Sequence, residues 1–523
     1  MAIGRREVLL SGAAVGLAAA ATGFSASSSW ADPRFSADPF ALGVASGDPW
    51  PDSVVLWTRL APQPLALDGL GGMPQRRITV DWEVAADERF RRVVRSGRTV
   101  AVPELAHSVH VEVDGLAPDR HYYYRFRAGR DVSPVGRTRT APAPGAHLRS
   151  LAFGFVSCQA WFEGFYTAYR HLSEEDIEVI FHLGDYIYEN QIDANGGVRN
   201  TPVPAEIGAE PFDLVQYRLR HALHHYDPDL IAAHQAHPFA LVWDDHEIED
   251  NWVGDISKVD GEPDNDPAVF RRRKAAAFQA YYEHLPLRWP NKPRGPEATL
   301  YRRLGYGRLV DFHILDTRQY RADQACGDKT GDCADRLLPG RQVLGPQQEQ
   351  WLYDGLRRSH ALWQIVPQQI PVTQVDTVPG DGRAFVMDFW DGYKPARDRL
   401  FNALAQVRNP VVLTGDMHRH LAADLKLDFD DPGSRTIGVE FVGTSISTKM
   451  DGADLDQGGK DLLDANTHIK FTSYQRGYVR CTVDEQVCRA DFRVLPYVTR
   501  PGAPVSTRAS FVTENGKPGL QPA

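Results

Sequence analysis

Between residues 151 and 414 the chain alternates short apolar runs with helix-like segments, and this alternation constrains the fold more than any other feature. The runs occupy 151–157, 178–183, 239–243, 309–315, 362–366 and 410–414. Each has the length of a strand, and a run without polar alternation suits a sheet covered on both faces. Helical patterns lie between them, as over Pro267–His284 and 346–357, so the order is that of an α/β domain. Strand-like segments return at Thr436–Val442 and 478–494, which predicts a mixed sheet closed by a hairpin.

At 523 residues the chain exceeds one hydrophobic core. Residues 38–145 carry only strand patterns, with period-two alternation over 53–60, 78–84 and Ser108–Val113. The stretch 115–126 resembles the turn and next-to-last strand of a fibronectin-III-like sandwich. The expected layout is a small all-β, fibronectin-III-like sandwich over 38–145, a second domain over 149–500 and a C-terminal tail over 501–523. The two domains are joined through the Pro-rich stretch 141–145.

The N-terminus carries Arg5-Arg6, an Ala/Gly/Val-rich run and an Ala-x-Ala-like exit at Ser29-Trp30-Ala31. These describe a twin-arginine export signal over 1–31. The apolar run is too short to remain as a transmembrane anchor. The implied partner is the twin-arginine translocation machinery, and the implied location is periplasmic or secreted. Export guides the reading of the five cysteines. Cys326 with Cys333, and Cys481 with Cys488, are expected as two short disulfides, the second across a tight hairpin. Cys158 is left over.

With 58 basic and 68 acidic residues the net charge is −10, which argues against a surface that holds nucleic acid nonspecifically. An acidic chain that handles an anionic substrate needs metals or helix N-termini to reverse the local sign.

The apolar runs end in clusters with metal-ligand chemistry. One leads into Ser157-Cys158-Gln159, the next into Gly184-Asp185-Tyr186-Ile187-Tyr188, and another into Asp244-Asp245-His246-Glu247 with Asn251 beyond. A fourth leads into Gly415-Asp416-Met417-His418-Arg419-His420. A lone Gly-Asp is ordinarily a turn, but four clusters at the carboxyl ends of strands converge on one crevice in an open α/β sheet.

Their order resembles the calcineurin-like metallophosphoesterases, with three departures: Cys158 for the usual first Asp, Asp-Asp-His-Glu for Gly-Asn-His-Glu, and Gly-Asp-Met-His for Gly-His-x-His. Those departures, with Leu315-Asp-Thr-Arg-Gln-Tyr-Arg, Leu344-Gly-Pro-Gln-Gln-Glu-Gln-Trp-Leu, Glu440-Phe-Val-Gly-Thr-Ser and the opening 40–49, resemble the PhoD-type alkaline phosphatases. The resemblance implies a metallophosphoesterase-like β-sandwich core flanked by helices. It also implies Fe3+ beside Ca2+, bridged by a carboxylate. Cys158, Asp185, Tyr188 and His418 are the expected iron ligands, since a phenol with a pKa of about 10 ligates only a strong Lewis acid. Asp185, Asn251 and Asp416 offer the oxygen that calcium takes. Asp185 and His418 are the candidate catalytic residues. Asp245, His246, Glu247 and His420 are expected to support the ligands from outside. His224-His225 and the basic run 271–274 read as solvated surface.

The implied activity is hydrolysis of phosphate monoesters or diesters without a covalent intermediate. Its alternatives are a phosphodiesterase of phospholipase D type, acting on lipid or polymer phosphodiesters, and a noncatalytic binding module.

Overall fold

The structure, a computed structural model, describes residues 33–259 and 261–523; the export signal expected over 1–31 lies outside the described residues. Two large sheets lie face to face. The first holds, in spatial order, Lys517–Pro522, Ser506–Glu514, Val487–Leu495, Arg476–Asp484, Ser150–Val156, Ile180–His182, Pro238–Leu241, Val44–Gly47, Val54–Arg59 and Ser108–Val113. The second holds Arg302–Tyr306, Val310–Ile314, Trp363–Pro367, Pro410–Thr414, Thr436–Val442, His420–Lys426 and Ile469–Ser473. Their central strands are parallel, as the apolar runs require.

The pleat sorts side chains between layers. Phe153 and Phe181 of the first sheet meet Phe312 of the second, with ring centroids 5.1 and 4.5 Å apart. Gly154, next to Phe153, faces the other way, onto Leu172 of the helix Thr167–Glu174. In the second sheet Ile365, Val411 and Leu413 belong to the core between the sheets. Their neighbours Val366 and Val412 pack instead with Leu352, Leu356 and Leu400 of the helices Gly345–Arg358 and Lys394–Leu404. The expected α/β architecture, a sandwich of mixed sheets flanked by helices, is the one that forms.

The layout is more continuous than a succession of separate domains. The strand Val44–Gly47 pairs in parallel with Pro238–Leu241, so three N-terminal strands extend the first sheet and the N-terminal unit does not stand free. A further sheet, built from Ile78–Ala85, Val93–Ala101 and His121–Ala128 with two short strands, packs on them around Phe40, Leu56, Val80, Tyr124 and Phe126. Residues 501–523 are no tail either: the hairpin of Ser506–Glu514 and Lys517–Pro522 completes the edge of the first sheet.

The cysteines correct a further expectation. Cys326 and Cys333 are bonded, but Cys481 and Cys488 are free and buried. The hairpin turns at Glu485-Gln486, which sets Cys481 opposite Ala490 and Cys488 opposite Val483. The two thiols are thus diagonal neighbours, about 7–8 Å apart in such a ladder, beyond disulfide reach.

His224 and His225, expected at the surface, are buried together with His182, His221, His234 and His284. Their helix, Leu214–His225, lies against the helix Pro267–His284, and Trp57 of the N-terminal strands covers His225. His221 stacks on His284 and His225 on His234, at 5.1 and 5.0 Å. In the basic run, Arg271 and Arg272 are exposed as expected, but Arg273 and Lys274 are buried. Arg273 reaches Glu249, Glu262 and Asp264.

Burial pushes His182, His221 and His225 down to about 3. These imidazoles bind fewer protons folded than unfolded, so their contribution is complete above the ordinary pKa of about 6.5 and is lost as pH falls below it. We expect the melting temperature to be flat above pH ~7 and to fall steadily between pH ~6.5 and ~4, measured by calorimetry. A melting temperature that holds through this window contradicts the neutral imidazole layer. Peptide mapping without reductant is expected to return the Cys326–Cys333 bridge, with Cys481 and Cys488 alkylated only after unfolding.

Candidate active site

Three neighbouring strands of the first sheet, Ser150–Val156, Ile180–His182 and Pro238–Leu241, end beside Pro410–Thr414 of the second. The loops that follow these four strands interlock. Cys158 N–H donates to Gly184 O at 3.1 Å and Gln159 N–H to Asp185 O at 3.0 Å. A Cβ at Gly184, whose φ is +107°, would fall 2.3 Å from Asp244 Cβ. One at Gly415 would fall 2.7 Å from Ser157 Oγ. Both glycines let neighbouring loops touch.

The backbone marks the site sharply. Cys158, Asp185, Asn251, Asp416 and His418 have φ of 60°, 56°, 56°, 58° and 54°. These are five of the six metal ligands proposed from the sequence, all in the left-handed region that costs a non-glycine residue ~1–2 kcal/mol. Strain of this kind collects where function requires a side chain to be aimed.

The sixth, Tyr188, ties them together. Its hydroxyl donates to Asp185 Oδ2 at 2.8 Å and lies 3.1 Å from His418 Nε2. Ligand atoms of Cys158, Asp185 and His418 all lie within 4.8 Å of one another. The same holds for Asp244, Asp245 and Asp416, and for Asp185, Asp245 and His246. Asn251 adjoins them, its N–H on Asp245 Oδ2 at 2.8 Å. Cys158, Asp185 and Asp245 are buried, whereas Asn251, Asp416 and His418 are half-buried.

The supporting residues fall differently. Glu247 accepts from three backbone amides, those of Asp185, Tyr186 and Asp244, at 3.1, 2.7 and 2.8 Å, and so fixes two loops at once. His246 stacks on Tyr188 at 4.2 Å and holds Glu189 Oε2 through Nδ1 at 2.7 Å. His420 stands apart. Its Nδ1 accepts from Thr444 N–H, and its ring meets Phe492 edge-on in the core.

Sequence reasoning missed Arg318, Glu189 and Asp388. Arg318 is fully buried; its guanidinium reaches Asp244, Asp388 at 2.9 Å, Asp245 at 3.4 Å and Asp416 at 3.7 Å. It lay inside the Leu315–Arg321 motif, and a charged residue just past a buried strand was the available signal. Glu189 adjoins Tyr188, and Asp388, which also pairs with Arg321, follows no predicted strand.

The electrostatics fit cations. Burial pushes Asp244 up to about 7 against the pull of Arg318. Burial and then Asp244 push Asp416 up. Burial also opposes ionisation of Asp245, yet Arg318 and His246 hold it below the usual carboxylate range. Cys158 is pushed up by burial and then by Asp185, and Tyr188 likewise. The protein alone therefore favours a neutral thiol and phenol, and positive charge among them is what ionises both. Asp185 Oδ1 and Asp244 Oδ2 are buried without a hydrogen-bond partner among the described residues, leaving oxygens free for a metal.

Such a centre at the strand ends of a helix-flanked sandwich is that of a phosphatase, and family models agree. The PhoD-like phosphatase model matches residues 153–492, and the model of the PhoD-like phosphatase N-terminal domain matches 25–142. The chain belongs to the PhoD-like phosphatase family. Among its relatives is alkaline phosphatase D of Bacillus subtilis (strain 168), 48% identical over 498 residues that span 94% of this chain and 83% of the relative. The solved structure of PhoD superposes with a TM-score of 0.89 at 48% identity, covering 94% of this chain and 93% of that one.

Glu247→Ala strands three buried amides, so we expect a loss of about 3 kcal/mol or more, with weaker metal retention. Glu247→Gln, which keeps one acceptor oxygen, is expected to be milder. Thermal unfolding and metal content measured on both variants check this.

Proposed function

We propose that this chain is an exported alkaline phosphatase that hydrolyses phosphate monoesters or diesters at an iron–calcium centre. The convergence of Cys158, Asp185, Tyr188 and His418 at one point carries the reading. Thiolate, phenolate, carboxylate and imidazole form a donor set suited to a ferric ion. Asp185, Asn251 and Asp416 provide the oxygen donors that calcium takes. When bound, such a pair supplies Lewis acidity toward a phosphoryl oxygen and a water acidified for attack on phosphorus.

The chain's own residues hold this arrangement. Asp185 accepts from Tyr188 through Oδ2 and leaves Oδ1 unengaged, an oxygen that a cation would take. Burial pushes His418 down to about 3, so its ring is neutral and able to act as a donor atom. Arg318 neutralises part of the carboxylate charge and fixes Asp244 and Asp388. Phe162 packs on Cys158, Ala160 and Tyr188 and keeps water from that side.

Export through the twin-arginine machinery to the periplasm or beyond is supported by Arg5-Arg6. The Cys326–Cys333 bond supports it too, being of a kind that persists in oxidising compartments. No helix among the described residues is long and apolar enough to cross a membrane.

Elemental analysis tests the centre. Iron and calcium are expected in the purified protein, with a visible phenolate band. Tyr188→Phe is expected to abolish the band with the fold intact by circular dichroism. A calcium-selective chelator is expected to remove the activity toward an aryl phosphate, added calcium to restore it, and iron content to stay unchanged. Activity indifferent to the chelator, or a band that survives Tyr188→Phe, overturns the assignment.

A further inference from the structure

Asn251 is held by three of its four polar atoms. Its N–H donates to Asp245 Oδ2 at 2.8 Å, its carbonyl accepts from Gln324 Nε2 at 2.8 Å, and its Nδ2 donates to Asp328 Oδ2 at 2.8 Å. The amide oxygen Oδ1 is the atom left. An amide has a donor end and an acceptor end of nearly equal shape, and its orientation follows from its neighbours. A carboxylate only accepts, so Asp328 takes the NH2 end and turns the oxygen the other way.

Asp328 is itself carried on an unusual loop. Cys326, Gly327 and Asp328 have φ of 52°, 64° and 60°, three left-handed residues in succession, a run that L-residues avoid unless the surroundings impose it. The Cys326–Cys333 bond closes this loop. Ala325 and Cys333 are buried with Phe385 and Met387, and Gly331 exchanges both backbone hydrogen bonds with Phe385. Gln324, one residue upstream of Ala325, grips both Asn251 and Asp388. The loop thus reaches the carboxylate cluster from a separate part of the chain, with its aim set by covalent closure.

We propose that Asp328 is a positioning residue for the divalent-cation side of the centre. Held by the disulfide-closed loop, its carboxylate fixes the Asn251 amide with the oxygen toward the metal. This rests on the reading of Asn251 as a cation ligand. Asp328 is bonded to Asn251 and acts through it.

The test is calcium titration of the iron-loaded, full-length protein by calorimetry with calcium chloride, alongside iron content and the visible band. Asp328→Ala and the double substitution Cys326→Ser/Cys333→Ser are each expected to weaken calcium about tenfold, with iron and the band unchanged. Asp328→Asn, whose amide tolerates either orientation of Asn251, is expected to fall between these and the parent. A merely structural loop would lower the melting temperature without moving calcium affinity, and that outcome overturns the proposal. If Asn251→Ala leaves calcium binding intact, the reading of Asn251 as a ligand fails. If Asn251→Ala weakens calcium but Asp328→Ala does not, only the positioning role fails. If Asp328→Ala weakens calcium and the double cysteine variant does not, the carboxylate acts without the bond and the disulfide part is overturned.

Discussion

The structure is organised around repulsion. Asp244, Asp245 and Asp416 bring carboxylate oxygens within 4.8 Å of one another, the first two buried and the third half-buried. At an effective dielectric of about 20, two such charges repel by about 3 kcal/mol, more than most single contacts in a domain contribute. Arg318 offsets part of this, and Arg321 is spent on Asp388. The rest must be met by proton uptake or by cations, and Asp244 and Asp416 are pushed up first by burial and then by the neighbouring carboxylates. Everything rigid about the site follows from keeping these groups close despite their charges.

Rigidity comes from the backbone more than from side chains. Five of the proposed ligand positions are in left-handed geometry, a conformation least costly for the Asp and Asn residues among them and one that interlocked loops must sustain. Glu247 and the two close-packed glycines, Gly184 and Gly415, are the parts that do so. A carboxylate taking three amides is a strong and directional tie, and it lies just behind the charges that it helps to crowd. The parallel strands set the starting point of each loop, and the left-handed residue then turns each chain away so that its side chain faces the centre.

Much of this was legible in the residues. Apolar runs of strand length, each followed by a ligand-rich cluster, identified the layers and brought Cys158, Asp185, Tyr188 and His418 to one place. What was not legible depends on register and packing. The Cys481–Cys488 pair was misread because the hairpin turns one residue later than its cysteines suggest, and a one-residue shift in the turn moves the cross-strand partner by two. His224 and His225 sit on a helix with no solvent face at that end, which an amphipathic reading cannot reveal. His420 follows His418 by two residues at the start of a strand, where the pleat buries its ring against Phe492. The N-terminal strands join the first sheet through a parallel pairing with Pro238–Leu241 nearly two hundred residues away, and no local pattern encodes such a partner.

Arg318 shows why charge balance cannot be read along the chain. A guanidinium buried among carboxylates is held by them, since breaking a buried pair leaves an uncompensated charge. Its partners Asp244, Asp388 and Asp416 come from three separate segments. Removing Arg318 would deepen the repulsion and tighten the demand for cations, but it would also free Asp244 and Asp388 to move. A single fixed charge therefore does two opposed things: it lowers the electrostatic pull on metals and preserves the geometry that lets metals bind. The second effect governs, because a crowded carboxylate set without a fixed geometry takes up protons in place of cations.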